Sequence, residues 1–461
     1  MESRSYKKPI INYNFSLTET ELSIFMKIRG YALTLKKKCV PRIAGGWVRD
    51  KLMGYACYDI DVALDTLSGI EFATGLREYF HKELGGRGIG VIRSNPDKSK
   101  HLETAAMIID GVFVDFLNLR TESYADSRIP ISSIGTPKED AFRRDLTINS
   151  LFYNLMTSEV EDFTGMGLDD LSNGIIRTPL DPLSTFLDDP LRILRTIRFA
   201  SRFQFKIEPE IFKAMKIKSV KEALKKKVSN ERIGKEINKI IEDGNSPFGF
   251  HIILENNLVN EILKPEYECN INDSHQLYDY ISSIGMHPLL DKNILCMYLL
   301  LIFFCGRKNQ KDEFLNVNIV KKSLMYPNTI TRRIKEIETN VFNFMQRIPN
   351  LDDKVEIIRQ VRAMGKEWYN SSVIAMALFR SRGDILECDK IQDFVNGVFK
   401  YKLESVYLVK PVVNGKEIFD NLKVDCKNIK YYLEKGVEHQ ILSGCNDKKE
   451  LMKYLKDFLN K

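Results

Sequence analysis

The chain has 461 residues, beyond the length at which one hydrophobic core ordinarily stops growing, so two or more domains are expected. Hydrophobic residues at 44% and charged residues at 28% exclude a disordered or low-complexity chain and fit a protein that buries sizeable cores. The net charge of +7 admits a polyanionic partner but does not require one.

In chain order, MESRSYKKPIINYNF has no apolar signal region and too little length for a clear transit peptide. The expected location is intracellular, in cytoplasm and/or nucleus, with the mitochondrion also admitted. From Ser16 to Lys38 the apolar spacing predicts a helix. Val40 to Ala44 leads into a Gly-Gly turn and a short helix, and Tyr58 to Ala63 alternates like a strand. Val112 to Phe116 and Glu159 to Phe163 read as two further strands, giving an α/β first part. After Asp188 strand signals fade and amphipathic helical pattern takes over. The most apolar run, Ile294 to Cys305, is well short of the ~20 residues that span a bilayer and predicts a buried helix. No membrane partner is expected. Cys39, Cys57, Cys269, Cys296, Cys305, Cys388, Cys426 and Cys445 form no C-x-x-C pair, so neither a zinc cage nor a disulfide framework is expected.

The strongest local feature is Gly45-Gly46-Trp47-Val48-Arg49-Asp50 followed by Asp59-Ile60-Asp61. Strand side chains alternate faces, so Asp59 and Asp61 point the same way. Two such carboxylates repel unless a cation lies between them, and hard oxygen ligands suit Mg²⁺. The Gly45-Gly46 turn lets backbone N–H groups approach a triphosphate, with a helix N-terminus behind it. The plainer alternative is a tight turn beside a surface D-x-D. Asp115, between Val114 and Phe116, can supply a third carboxylate if its strand neighbours that of Asp59; a solvated edge position is the alternative.

In Phe142-Arg143-Arg144-Asp145-Leu146-Thr147-Ile148-Asn149, two arginines just before an apolar helix can clamp phosphate oxygens, while Asp145 and Asn149 can reach ribose hydroxyls. In Asp188-Asp189-Pro190-Leu191-Arg192-Ile193-Leu194-Arg195-Thr196-Ile197-Arg198-Phe199, Pro190 predicts a helix start, Asp189 its N-cap region, and Arg192, Arg195 and Arg198 one cationic ridge. A carboxylate only accepts hydrogen bonds and a guanidinium only donates them. Asp189 with Arg192 therefore matches the amino group and ring acceptor that cytosine and adenine share, and mismatches uracil and guanine. A capped helix with a solvated arginine face is the alternative.

These clusters, in this order, resemble the class II CCA-adding enzymes, the CCA tRNA nucleotidyltransferases of the polymerase β-like superfamily, and their eukaryotic branch in particular. The resemblance rests on AGGWVRDKLMG with DID, NPDKSKHLETA, VDFLNLR, SRIP, GTPKEDAFRRDLTINSLFYN and RTPLDPLSTFLDDPLRILRTIRFASRF, which fill Arg42 to Phe203. Val228-Ser229-Asn230-Glu231-Arg232-Ile233 is similar to the family's neck-helix motif, and Lys410 to Lys416 to a tail segment.

The resemblance implies an α/β polymerase β-like head over residues 1–176, then an all-α neck (177–245), body (246–350) and tail (351–461). It implies two Mg²⁺ ions on Asp59 and Asp61, and triphosphate contacts from Gly46, Arg49 and Arg144, with Gly45, Arg143, Asp145 and Asn149 beside them. Asp189 and Arg192 become the template for the base, and Arg195 and Arg198 further nucleotide-binding arginines. Substrates are CTP and ATP, and the partner is tRNA, held by its acceptor end and elbow, with no obligate protein partner. Lys216, Lys218, Lys221, Lys225, Lys226 and Lys227 are candidate tRNA contacts, or simply a solvated face. A mobile loop over Arg93 to Asp110 is expected to resize the pocket between C and A, although Ala106-Met107-Ile108 departs from the family's polar pattern. The alternatives are a CC-only or A-only enzyme, a poly(A) polymerase, or an RNA-binding homologue without catalysis.

Overall fold

The computed structural model describes residues 6, 8–80, 90–92, 104–123, 131–243, 245–265, 287–301, 307–308, 311, 313–348 and 353–460. The chain forms two compact units, Met1–Lys264 and Pro265–Lys461.

The first unit opens with helix α1 (Glu19–Thr34), whose start is fixed by a capping box between Thr18 and Glu21. A seven-stranded sheet follows in the order β3-β4-β5-β2-β1-β8-β9. Its strands are β1 (Arg42–Ala44), β2 (Ile60–Leu64), β3 (Gly90–Ile92), β4 (Thr104–Ile109), β5 (Val112–Asn118), β8 (Phe152–Asn154) and β9 (Glu159–Glu161). Only β2 and β5 pair in parallel, with Asp61 opposite Asp115; the other pairs are antiparallel. A parallel pair needs a crossover, and helix α3 (Gly69–Tyr79) packs across β4 and β5 as part of it. The short helix α2 (Gly46–Leu52) lies between β1 and β2. Strands β6 (Arg120–Ser123) and β7 (Ile131–Ile134) form a separate pair.

The expected strands at Tyr58, Val112 and Glu159 are all present. One expectation needs correction: the segment Arg93 to Asp110 is not wholly a loop, because residues 104–109 form β4. Ala105, Met107 and Ile109 are buried on its inner face. The apolar departure at Ala106-Met107-Ile108 is thus the alternating pattern of a strand with one face in the core. The rest of that segment, residues 93–103, and the SRIP string lie outside the described residues.

Helices α4 (Pro137–Phe142) and α5 (Gly167–Asn173) complete the sheet region, and α6 (Pro182–Asp188) leads to the arginine-bearing α7 (Arg192–Phe203). Strand signals do not end at Asp188: β10 (Ile175–Ile176) pairs in parallel with β11 (Lys206–Ile207). Helices α8 (Pro209–Lys216), α9 (Lys218–Lys227), α10 (Asn230–Glu242), α11 (Ser246–Glu255) and α12 (Val259–Leu263) follow, with α10 and α11 packed on α7.

The second unit is helical over its described residues. The helix expected at Ile294 is Lys292–Leu301, with Ile294, Leu295, Met297 and Leu301 buried. Phe344, Phe394 and Trp368 lie fully buried in this unit, and Val413, Ile418, Leu422, Leu451 and Leu455 form a smaller apolar cluster near its C-terminus. Among the described residues no helix is long and apolar enough to cross a membrane.

Candidate active site

A cavity of about 980 Å³ opens in the first unit, and every residue singled out above as catalytic or nucleotide-binding lines it. Its volume suits a nucleotide-sized ligand. Carboxylates from the sheet face guanidinium groups from α2, the segment after α4, and α7.

The carboxylate wall follows from strand pairing. Asp59 lies one residue before β2, Asp61 is its second residue, and Asp115 is Asp61's register partner on β5. The condition for Asp115 to join the pair is met. Burial pushes the Asp61 carboxyl up to about 6; Asp59 and Asp115 push the same way, and Arg144 and Arg120 oppose them. Burial and Asp59 also raise Asp115. Among the described residues no three His, Cys, Asp or Glu side chains converge as a ready metal cage. The hard-oxygen pair of Asp59 and Asp61, whose repulsion Arg144 and Arg120 offset only in part, fits an Mg²⁺ ion.

The glycine turn is held rigidly. Trp47 of α2 is buried, donates from Nε1 to Glu21 Oε1 at 3.0 Å, and packs among Phe15, Phe25 and Tyr153. Gly45 has φ of +68°, and a Cβ there would meet Arg144 Nη1 at 2.7 Å. Both the backbone conformation and the space therefore demand glycine. Arg49 is 3% exposed, lies 4.9 Å and 5.0 Å from the ring centres of Phe199 and Phe203, and is ion-paired to Asp50 at 2.7 Å. It also donates from Nη1 to Asn149 Oδ1.

Arg143 and Arg144 sit at the end of helix α4, not ahead of an apolar helix; a single 3-10 turn at Thr147–Asn149 follows them. That position puts both within reach of Asp140, three and four residues back. Asp140 is fully buried. Its Oδ1 accepts from Arg143 Nε at 2.9 Å and its Oδ2 from Arg144 Nη2 at 2.8 Å. Burial alone would raise the Asp140 carboxyl, but Arg144 and Arg143 outweigh it and hold it below the usual range. One carboxylate thus fixes both guanidinium groups while both still line the cavity.

Asp145 and Asn149 line the cavity and are also linked to the arginines around it. Asp145 accepts from Arg195 Nε at 2.7 Å, from Asn149 Nδ2 at 3.1 Å and from its neighbour Leu146 N at 2.9 Å. Its burial would raise it, yet Arg195 and Asn149 bring the carboxyl down to about 2. Asn149 links this brace to Arg49.

The expected single ridge on α7 also needs correction. Residues spaced by three rotate steadily around a helix of 3.6 residues per turn, so the side chains diverge. Arg192 Nη2 donates to Arg143 O at 2.6 Å, Arg195 turns to Asp145, and Arg198 pairs with Glu236 at 2.8 Å and lies over Phe199. The helix begins at Arg192 rather than Pro190. Asp189 receives Leu191 N at 3.2 Å on one oxygen and Arg232 Nη2 at 2.8 Å on the other.

Arg120, Arg202, Arg232 and Lys239 also line the cavity; none was singled out from the sequence as a site residue, although Arg232 lies in the segment that resembles the family's neck-helix motif, which supports the nucleotide pocket. Arg232 and Lys239 lie seven apart on α10, a helical repeat that was readable once α10 was known to face the site. Of the lysines proposed for tRNA, Lys221 donates to Asn257 O, Lys227 to Leu187 O, and Lys226 to Glu222.

Residues 41–177 match the family described as the poly A polymerase head domain, and residues 204–270 match that described as a probable RNA and SrmB-binding site of polymerase A. The mitochondrial CCA tRNA nucleotidyltransferase of Saccharomyces cerevisiae is 33% identical, with 89% of each chain covered. The Thermotoga maritima CCA-adding enzyme complexed with tRNA shares the fold at a TM-score of 0.66 and 21% identity, covering 96% of each chain. Structures of a CCA-adding enzyme with ATP and with CTP each match at a TM-score of 0.63, with 21% and 19% identity; they cover 96% of this chain and 95% and 97% of theirs. With a relative this similar along nearly the whole of both chains, and with the acidic, glycine and arginine motifs gathered in one cavity, the chain belongs to the CCA tRNA nucleotidyltransferase family.

Proposed function

We infer that this enzyme adds CMP, CMP and AMP, from CTP and ATP, to the 3′ end of tRNA without a nucleic-acid template, releasing pyrophosphate at each step. The observation that carries this reading is the single cavity that holds a D-x-D carboxylate edge opposite a set of guanidinium groups, with Asp189 and Arg192 both on its wall.

Asp59 and Asp61 are the residues that would hold Mg²⁺, with Asp115 beside them. Bound there, the metal supplies a lowered pKa for the tRNA 3′-hydroxyl and charge neutralisation for the departing pyrophosphate. Arg49 and Arg144, fixed by Asp50 and Asp140, receive the triphosphate and offset the charge that grows on the leaving group. Gly45 and Gly46 let the backbone come close to the phosphates. Arg143 lies beside them, and Asp145 and Asn149 keep the arginines in place. Asp189 accepts from the amino group of C or A while Arg192 donates to the adjacent ring nitrogen. Arg195 and Arg198 add positive charge at the back of the site.

The head is assigned to residues 1–176, the neck to 177–245, the body to 246–350 and the tail to 351–461, with the helical parts holding the acceptor end and elbow of tRNA by shape and phosphate contacts. The name of the S. cerevisiae relative supports work in the mitochondrion; cytoplasmic and nuclear tRNA are further pools that fluorescent tagging would reveal.

The test supplies tRNA ending at the discriminator base and, in parallel, tRNA already ending in CC, each with CTP and ATP together, and sequences the products. Ends in CCA are expected. Ends in CC with no A, extension only of tRNA already ending in CC, or runs of A would point instead to a CC-adding enzyme, an A-adding enzyme or a poly(A) polymerase, respectively. No extension of any substrate would leave an RNA-binding homologue.

A further inference from the structure

The segment Ala56-Cys57-Tyr58 lines the active-site cavity and also a second cavity of about 260 Å³ that Thr18, Glu21 and Lys51 line as well. Open space therefore flanks this segment on two sides. Tyr58 is 81% exposed, and among the described residues its ring meets no other ring and its hydroxyl makes no hydrogen bond. Tyr55, three residues earlier, instead stacks on Phe203 with ring centres 6.4 Å apart. A lone exposed aromatic is ordinary on an open surface, but Tyr58 stands at the catalytic cavity, one residue before Asp59. Nothing in the reaction described so far uses it.

Each round of addition needs the last nucleotide of the tRNA to bring its 3′-hydroxyl to the edge formed by Asp59 and Asp61. That nucleotide changes between rounds: it carries the discriminator base first and cytosine afterwards. Hydrogen bonds to a base edge would favour one of these ends over the other. Stacking on an aromatic ring does not, because every base has a π-face. Consecutive Cα atoms lie about 3.8 Å apart, so the ring of Tyr58 is confined to the neighbourhood of Asp59, where the terminal sugar has to sit.

We propose that Tyr58 stacks on the terminal base of the tRNA and so holds the 3′-hydroxyl at the carboxylate edge. The proposal rests on the CCA-adding reading above. Arg49, Arg144 and Arg195 are already tied to Asp50, Asp140 and Asp145, and their charge suits the incoming triphosphate. Tyr58 makes no such tie among the described residues and offers a π-face in place of a charge. The tRNA end and the incoming nucleotide are thereby gripped by different chemistry. A residue of this kind binds every tRNA end alike and takes no part in choosing between CTP and ATP.

The test uses Tyr58→Ala and Tyr58→Phe; the exposure of the side chain makes both compatible with the fold, and a thermal melt verifies this. kcat/KM for tRNA is measured with CTP on tRNA ending at the discriminator base and with ATP on tRNA ending in CC. KM for each nucleotide is measured at saturating tRNA. Tyr58→Ala is expected to lower kcat/KM for both tRNAs by about tenfold, while KM for CTP and ATP stays within about twofold of wild type. Tyr58→Phe, which keeps the ring, is expected to recover the loss. In parallel, a tRNA whose last base is 2-aminopurine, bound without nucleotide, is expected to be dimmer on wild type than on the Ala variant, because stacking quenches this probe. Unchanged use of tRNA by the Ala variant, an equal rise in KM for the nucleotides, a Phe variant as weak as the Ala variant, or equal fluorescence overturns the proposal. A wild-type chain that extends neither tRNA would instead overturn the reading beneath it.

Discussion

Arg232 of α10 grips Asp189 through one carboxylate oxygen at 2.8 Å, so the acidic group proposed to read the base is anchored from a helix that lies some forty residues along the chain. Asp189 thereby keeps a definite orientation toward the cavity. Removing the anchor should relax discrimination: Arg232→Ala is expected to raise UTP incorporation relative to CTP by about tenfold, and Asp189→Ala or Arg192→Ala by more. Arg144→Ala should weaken all four nucleotides alike. A proportional loss of every nucleotide in Asp189→Ala would reduce that residue to a structural role at the start of α7.

Asp59→Ala and Asp61→Ala should each abolish nucleotide addition while tRNA affinity in a filter-binding assay stays close to wild type, because on the proposed reading the carboxylates act on the chemistry and the helices hold the RNA. Activity above about a few per cent in both variants would remove the metal-holding role.

Asp140→Asn removes the charge that fixes two arginines at once. Weaker, misplaced guanidinium groups should raise KM for CTP and ATP together by about tenfold and lower stability by about 3 kcal/mol. A change in KM for only one nucleotide would show that Asp140 acts on the base rather than on the phosphates.

The Asp61 carboxyl stands at about 6 in the fold against an ordinary 3.8, so the folded state binds its proton more tightly than the unfolded chain does. Stability from this group is therefore full below about 3.8 and is lost as pH rises through about 6. On the proposed reading, Mg²⁺ held by Asp59 and Asp61 would relieve the cost by pairing with the ionised form. In melts of the wild-type chain, added Mg²⁺ should raise Tm at pH 7.5 and much less at pH 5, and Asp61→Asn should flatten that difference. An equal Mg²⁺ effect at both pH values would separate the ion from Asp61.

The carboxylate edge was readable in the sequence because period-two alternation states directly which strand side chains share a face, so Asp59 with Asp61 followed from spacing alone. That Asp115 stands opposite Asp61 depends on β2 and β5 pairing across a crossover, which no local pattern encodes. The α7 arginines were misread for a related reason: their partners come from two distant segments, Arg143 and Asp145 after α4 and Glu236 on α10. Asp140 illustrates the opposite case. Its spacing of three and four from Arg143 and Arg144 on one helix was in plain view, and the motif was read for its arginines only. The strand at β4 was visible too, as alternation of Ala105, Met107 and Ile109, but the resemblance to a family loop drew attention away from it.

The short parallel pair of β10 and β11 joins the residues just before and just after the stretch that carries Asp189, Arg192 and Arg195. That stretch is consequently a hoop pinned at its foot, with the groups proposed to read the base on its arc. A hoop of this kind cannot slide in register past the rest of the neck, so any accommodation between a small and a large base has to come from bending along the arc and from side chains upon it. Accuracy in reading the base and tolerance of two base sizes are thereby separated in the chain: the foot sets where the reader stands, and the arc sets how far it reaches.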